Sequence, residues 1–208
     1  MNQVMQEKEM YLQKISKKIF YFLLFFLFIV FLIPSPVRGG QNILSSEISN
    51  YFFKINNFTS KFIQSDSDGI QQGNIYLSNK VKRIKIHYTE PSNIVFILKD
   101  NKAMYFNVDL EEVEYFGTKN SVADIFFNVF YEEEFFSDSK IVEKKNTIEI
   151  KKIISTNEQD VEIILYFEKN PLLIKQIKIK ENDGYRVMTF VNPNFNISFR
   201  DNFFSIAN

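Results

Sequence analysis

After residue 57, apolar and polar side chains alternate in short runs along most of the chain. "FTSKFIQ" sets Phe58, Ser60, Phe62 and Gln64 against Thr59, Lys61 and Ile63. "GNIYLS" puts Ile75 and Leu77 on one face, and "RIKIHY" puts Ile84, Ile86 and Tyr88 opposite Arg83, Lys85 and His87. A period of two is the mark of a half-buried strand. "NIVFIL" follows Pro91 and is apolar on both faces, so its inner set is either Phe96 and Leu98 or Val95 and Ile97. "AMYFNV" groups Met104, Phe106 and Val108, and "EEVEYF" closes this meander. Later runs are "IVEKK", "TIEIKKII", "VEIILYF", "IKQIKIK", "GYRVMTFVN" and "FNISFRDNFF". The connections are short and turn-like, including "SDSDG" and "DNK". Short links make antiparallel hairpins rather than crossovers. The expectation is about eleven strands in one curling antiparallel sheet.

Two stretches change period. Leu44, Ile48, Tyr51, Phe52 and Ile55 recur at helical spacing, which predicts a helix near 43–56. In "NSVADIFFNVF", Val122, Ile125, Phe126, Val129 and Phe130 fall on one helical face, and Ser121 with Asp124 resembles a capping box. Glu132, Glu133 and Glu134 read as a solvated helix end. Patterning alone does not separate a filled core from a hollow one.

At the N-terminus, "FYFLLFFLFIVFLI" (20–33) is wholly apolar, with Lys14, Lys17 and Lys18 before it and Pro34, Pro36, Gly39 and Gly40 after it. These are the parts of a secretory signal. A helix of about 14 residues spans about 21 Å, short of a hydrocarbon core of about 30 Å. Residues 1–40 are therefore read as a signal peptide or an uncleaved signal anchor, and 41–208 as the exported body.

Composition removes several classes of function. The chain of 208 residues has no cysteine and a formal net charge of zero. Disulfides, thiolate metal sites, cysteine nucleophiles and a lipidated N-terminal cysteine are excluded. Residues 41–208 carry 20 basic and 23 acidic side chains, which gives no electrostatic footprint for nucleic acid. The single histidine, His87, has no catalytic motif beside it, and neither a P-loop nor H-E-x-x-H is present. Asp66 and Asp68 read as turn residues rather than cation ligands. No enzyme, cofactor or metal is expected.

The order of these runs resembles the periplasmic outer-membrane lipoprotein carrier family, LolA, across about 41–206. The strongest stretch, 57–116, contains "FTSKFIQ", "GNIYLSNKVKRIKIHYTEP" and "IVFILKDNKAMYFNVDLEEVEY". "NSVADIFF" stands at the family's Thr-Pro-x-x-Leu-Leu helix, and "ENDGYRVMTFVNPNFNISFRDNFFSI" resembles its closing pattern. The resemblance implies an α+β fold: an unclosed antiparallel β-barrel with a lid of two or three helices. It implies a monomeric carrier that takes triacylated lipoproteins from an inner-membrane ATP-driven releasing complex to an outer-membrane acceptor or the outer membrane itself. The implied lipid-binding residues are Ile75, Leu77, Ile84, Ile86, Phe96, Leu98, Met104 and Phe106 on the sheet, with Val122, Ile125, Phe126 and Val129 on the lid helix. Lys80-Val81 replaces the family's Arg-Pro, which makes Lys80 the expected lid latch, with a point charge in place of a planar fork. The alternative is a lipid- or lipoprotein-sensing domain of the same fold, anchored or free.

Overall fold

The structure, a computed structural model, describes residues 39–181 and 184–205. The chain divides into two units, Met1–Gly39 and Gly40–Asn208, and the elements below form the second. The apolar leader run, 20–33, lies outside the described residues.

Helix α1 (Gly39–Lys54) precedes β1 (Asn57–Asp66), β2 (Gly69–Ser78), β3 (Arg83–Glu90), β4 (Ile94–Lys99), β5 (Lys102–Asn107) and β6 (Glu112–Gly117). Helix α2 (Val122–Tyr131) interrupts the strands. Then come β7 (Lys140–Glu143), β8 (Thr147–Ser155), β9 (Asp160–Lys169), β10 (Leu172–Glu181) and β11 (Gly184–Asn194). All eleven strands form one antiparallel sheet in the order β6-β5-β4-β3-β2-β1-β11-β10-β9-β8-β7. Strands β6 and β7 are its free edges, so the barrel is unclosed. Chain neighbours pair within each meander, β1–β6 and β7–β11, and the β1–β11 pairing alone joins the two.

Alternation fixes which side of the sheet is buried. Phe58, Ser60, Phe62 and Gln64 of β1 are buried, as are Ile75 and Leu77 of β2 and Ile84 and Ile86 of β3. The fully buried aromatic rings of Phe58, Phe62, Phe136, Phe167 and Phe190 all belong to this core. Each is worth about 1.5–3 kcal/mol of burial. Gly73 permits a close crossing within it. A Cβ there would stand 2.2 Å from the His87 carbonyl oxygen and 2.8 Å from the Phe62 ring.

Helix α1 packs Ile48 and Phe52 into the core, with Leu44, Tyr51 and Ile55 against its margin. Helix α2 begins at Ser121, whose Oγ accepts the Asp124 N–H at 3.4 Å. The Asp124 carboxylate accepts the Asn120 N–H at 2.9 Å, one residue upstream of the partner a capping box uses. Ile125, Phe126, Phe127, Val129, Phe130 and Tyr131 are all buried, and no position of α2 is exposed. A helix apolar on nearly every side packs as an interior element, so α2 lies against the buried face of the sheet as the helical lid of the open barrel. Glu132–Glu134 beyond it are exposed.

Residues 195–205 do not form the strand their alternation suggests. Phe195 packs on Phe58 at 5.3 Å. Phe203 then meets Tyr76 at 4.9 Å on the outer face, stacked on Phe199 at 4.7 Å. Side chains take carbonyls that a ladder would use: Asn57 donates to Ile197 O at 2.8 Å, and Arg83 to Phe204 O at 3.2 Å.

Candidate functional site

A cavity of about 190 Å³ lies between the sheet and the first half of α2. The helix contributes Val122, Ala123 and Phe126. Strands β3 and β4 contribute Ile86, Tyr88, Phe96 and Leu98, and β10 and β11 contribute Ile177, Ile179 and Met188. Gln64 and Arg186 are its polar wall residues. The hollow arises from a gradient of side-chain size along α2. The N-terminal turn carries Val122 and Ala123, while rings crowd the later positions at Phe126, Phe127, Phe130 and Tyr131. Val122 and Ala123 fill less of the space against the facing strands than rings would, and Phe126 is the one ring that α2 adds to the wall. An apolar cavity of about 150 Å³ holds a benzene-sized guest, so this one admits a short hydrocarbon segment as it stands.

Tyr88 marks the boundary of the apolar wall. Its hydroxyl donates to Gln64 Oε1 at 3.0 Å, and Gln64 Nε2 donates to Asp66 Oδ2 at 2.9 Å. Burial, modulated by Arg186, Asp66 and the Gln64 bond, pushes the Tyr88 phenol up to about 12.

Helix α2 is held from its other end. The Tyr131 hydroxyl reaches the carbonyls of Ser78 and Arg83 at 3.1 and 2.8 Å, sharing its one proton between them. Both carbonyls flank the β2–β3 turn, so a phenol does the fastening there. Burial pushes this phenol well above its ordinary range despite those two bonds.

The expected lining residues fall into three groups. Ile86, Phe96, Leu98, Val122 and Phe126 line the cavity. Ile75, Leu77, Ile84, Ile125 and Val129 are packed into the same core without lining it. Met104 and Phe106 require correction, because they stand on the opposite face of the sheet. There they join Val95, Ile97 and Val108 in a separate outer cluster. Met104 pairs with Ile97 and Phe106 with Val95, whereas Ala103 pairs with Leu98 and Tyr105 with Phe96 on the inner side. Lys80 is corrected as the latch: it is exposed in the β2–β3 turn and makes neither hydrogen bond that fastens α2.

Tyr88, Ala123, Ile177, Ile179 and Met188 belong to the cavity wall without having been singled out by sequence reasoning. Alternation marks Tyr88 with Ile84 and Ile86. The β10 residues are harder, because a register shift between Ile174 and Gln176 breaks alternation. Ile174, Ile177 and Ile179 are therefore all buried on one side.

Among the described residues, no group of three or more His, Asp or Glu side chains is placed to hold a metal ion. The His87 ring pairs with Asn93 Oδ1 at 2.8 Å. Among the described residues, no helix is long and apolar enough to cross a membrane.

An unclosed antiparallel barrel with a helical lid, and a hydrocarbon-lined hollow beneath that lid, defines the class of apolar-ligand-binding half-barrels. The family model described as outer membrane lipoprotein carrier protein LolA matches residues 54–207, and the chain belongs to that family. The family is one of periplasmic lipoprotein-binding carriers. No curated protein matches the chain. Among solved structures, the chain is similar to an uncharacterized conserved protein from Thermus thermophilus. That match has 7% identity and a TM-score of 0.49, and covers 78% of this chain and 90% of that one. It is also similar to a DUF1329 family protein from Desulfovibrio piger. There the identity is 9% and the TM-score 0.50, with 83% and 98% of the two chains covered.

Proposed function

We propose that this protein is a periplasmic carrier that holds the acyl chains of lipoproteins beneath α2 and takes them from the inner to the outer membrane. The observation that carries this reading is the hollow at the small-residue end of a helix otherwise crowded with rings. Hydrocarbon is the guest it suits, because each methylene moved from water is worth about 0.8 kcal/mol.

The size of the hollow sets the mechanism. About 190 Å³ accepts part of one chain, so a triacylated cargo requires α2 to swing out of the sheet. Phe126, Phe127 and Phe130 then lose their contacts with the core while acyl chains take their place. The exchange of one apolar filling for another brings net affinity down from the tens of kcal/mol gross that several buried chains represent to a reversible range. No nucleotide motif exists in the chain, so loading draws on an inner-membrane ATP-driven partner and release on an outer-membrane acceptor or the outer membrane itself. The carrier acts as a monomer.

The test fills the hollow without harming the fold. The purified protein is expected to take up a fluorescent apolar probe that a triacylated lipopeptide displaces. Ala123→Leu should cut that uptake at least tenfold while leaving the thermal midpoint unchanged or raised. Full uptake by a folded Ala123→Leu variant would place the ligand elsewhere.

A further inference from the structure

The face of the sheet turned away from the cavity carries a groove of its own. It lies between β3–β5 and the C-terminal segment, and its volume is about 390 Å³. A hollow of about 150 Å³ already holds a benzene-sized guest. Val95, Ile97, Phe106 and Phe203 supply the apolar walls. The charged residues lining the groove are Lys85 and Arg200, both cations. Asn202 and Ser205 complete the lining, and the exposed Asp201 stands outside it. Lys85 is half-buried. Its ammonium donates to Phe203 O at 3.3 Å and lies 4.8 Å from the centre of the Phe203 ring. No carboxylate pairs with it among the described residues, and burial holds it below the ordinary lysine range. An ammonium has three N–H donors, so the carbonyl leaves two for a ligand. Arg83, two residues back on the same face of β3, also donates to a carbonyl, Phe204 O at 3.2 Å. Its buried Nε has no hydrogen-bond partner. Cations drawn out of water with carbonyls and rings as partners are undercompensated. Apolar walls beside such cations suit a guest that is part hydrocarbon and part anion.

We infer that this outer groove binds an anionic amphiphile, its hydrocarbon against Val95, Ile97 and Phe106 and its head within reach of Lys85 and Arg200. The site is separate from the cavity beneath α2, and its ligand is additional to the acyl cargo proposed there. Two sources carry such a head: a free fatty acid, with its carboxylate, and an anionic phospholipid, with its phosphate.

Methyl NMR on the intact protein tells the two sites apart: Val95 and Ile97 report the groove, and Ile86 and Ile179 the cavity. Octyl phosphate, octanoate, 1-octanol and octylammonium are titrated at low salt. The two anions are expected to shift the Val95 and Ile97 methyls with affinities about fivefold tighter than octanol, and octylammonium to bind there more weakly than octanol. High salt should shrink that order. Arg200→Gln, at an exposed position, should reduce the anion preference, and Lys85→Gln/Arg200→Gln should abolish it. Unchanged Ile86 and Ile179 resonances in the free variants check that the sheet is intact. A groove that takes octanol without preferring anions, or a preference that survives the double variant, would overturn the inference. Shifts confined to Ile86 and Ile179 would overturn it too, and would leave the proposed use of the cavity standing. Val95 and Ile97 methyls that move with protein concentration alone would make the groove a contact between copies, and would equally overturn it. Given the anion preference, dioctanoyl phosphatidylglycerol compared with octanoate identifies which source fits better.

Discussion

Two regions of one interior differ in how they are filled. Where α1 meets the last turns of α2, Phe52 contacts Phe130 at 5.3 Å, Phe136 at 5.7 Å and Phe167 at 5.9 Å, and Tyr51 closes on Phe167 at 5.6 Å. Under the first turn of α2, Val122 and Ala123 face Ile86, Ile179 and Met188 across the cavity. The same sheet and the same helix border both. Side-chain size along α2 differs between them: four rings follow Ala123, none precedes it, and of the four only Phe126 reaches the cavity wall. A β-sheet that curls around one short helix encloses more space than that helix fills, and the chain places the deficit at one end. The filled end can then hold the fold while the hollow end exchanges its contents.

The largest test compares a truncation at each end. Phe52→Ala should cost about 3–5 kcal/mol, because it removes a ring from a cluster with no room to relax. Met188→Ala should cost about 2 kcal/mol, at the low end for such deletions, since its side chain already borders empty space. Urea denaturation of both variants measures the gap. Equal costs would mean that the hollow end is as tightly packed as the other.

Next in size is an alkaline titration. Burial, eased by its bond with the Ile174 amide, pushes the Tyr51 phenol up to about 12 at the filled end, and Tyr88 reaches about the same value at the hollow end. A folded-state value above the unfolded one stabilises the protein fully below about pH 10. That contribution is lost as pH rises toward 12, at about 2 to 3 kcal/mol for each tyrosine. Both Tyr51→Phe and Tyr88→Phe should flatten the fall in stability over that window. If only Tyr51→Phe does so, the hollow end is wet, and the comparison becomes one of dry core against hydrated cleft.

Strand number, sheet connectivity and the α2 cap were readable because period-two runs and turn residues are local signals. The side facing the cavity was readable only where one face of a strand is apolar, as at Ile84 and Ile86. Strand β4 is apolar on both faces, so nothing local fixes which side of the following hairpin turns inward. Met104 and Phe106 went to the wrong side for that reason. The outer cluster around Val95 and Ile97 gives them an alternative home under the C-terminal segment. That segment alternates like a strand, yet Asn57 and Arg83 from distant positions take its carbonyls. The register shift in β10 likewise has no local signature. The fastening of α2 was invisible for a related cause: Tyr131 and the Ser78 carbonyl are 53 residues apart, and only the folded sheet brings them together.

The smallest effects decide how the hollow end opens. Tyr131→Phe takes the shared proton from the Ser78 and Arg83 carbonyls and should cost about 1–2 kcal/mol. If that loss falls on the docking of α2, the population with α2 displaced rises by a factor of about 5 to 30. Stopped-flow entry of the apolar probe should accelerate accordingly. Lys80→Arg changes an exposed turn residue and should shift stability by less than about 0.5 kcal/mol, with no change in entry rate. A slower entry in Lys80→Arg, with none of the expected gain in Tyr131→Phe, would move the fastening from the phenol to the turn. The filled end would then hold α2 through ring contacts such as Phe52 on Phe130 at 5.3 Å, and not through the Tyr131 hydroxyl.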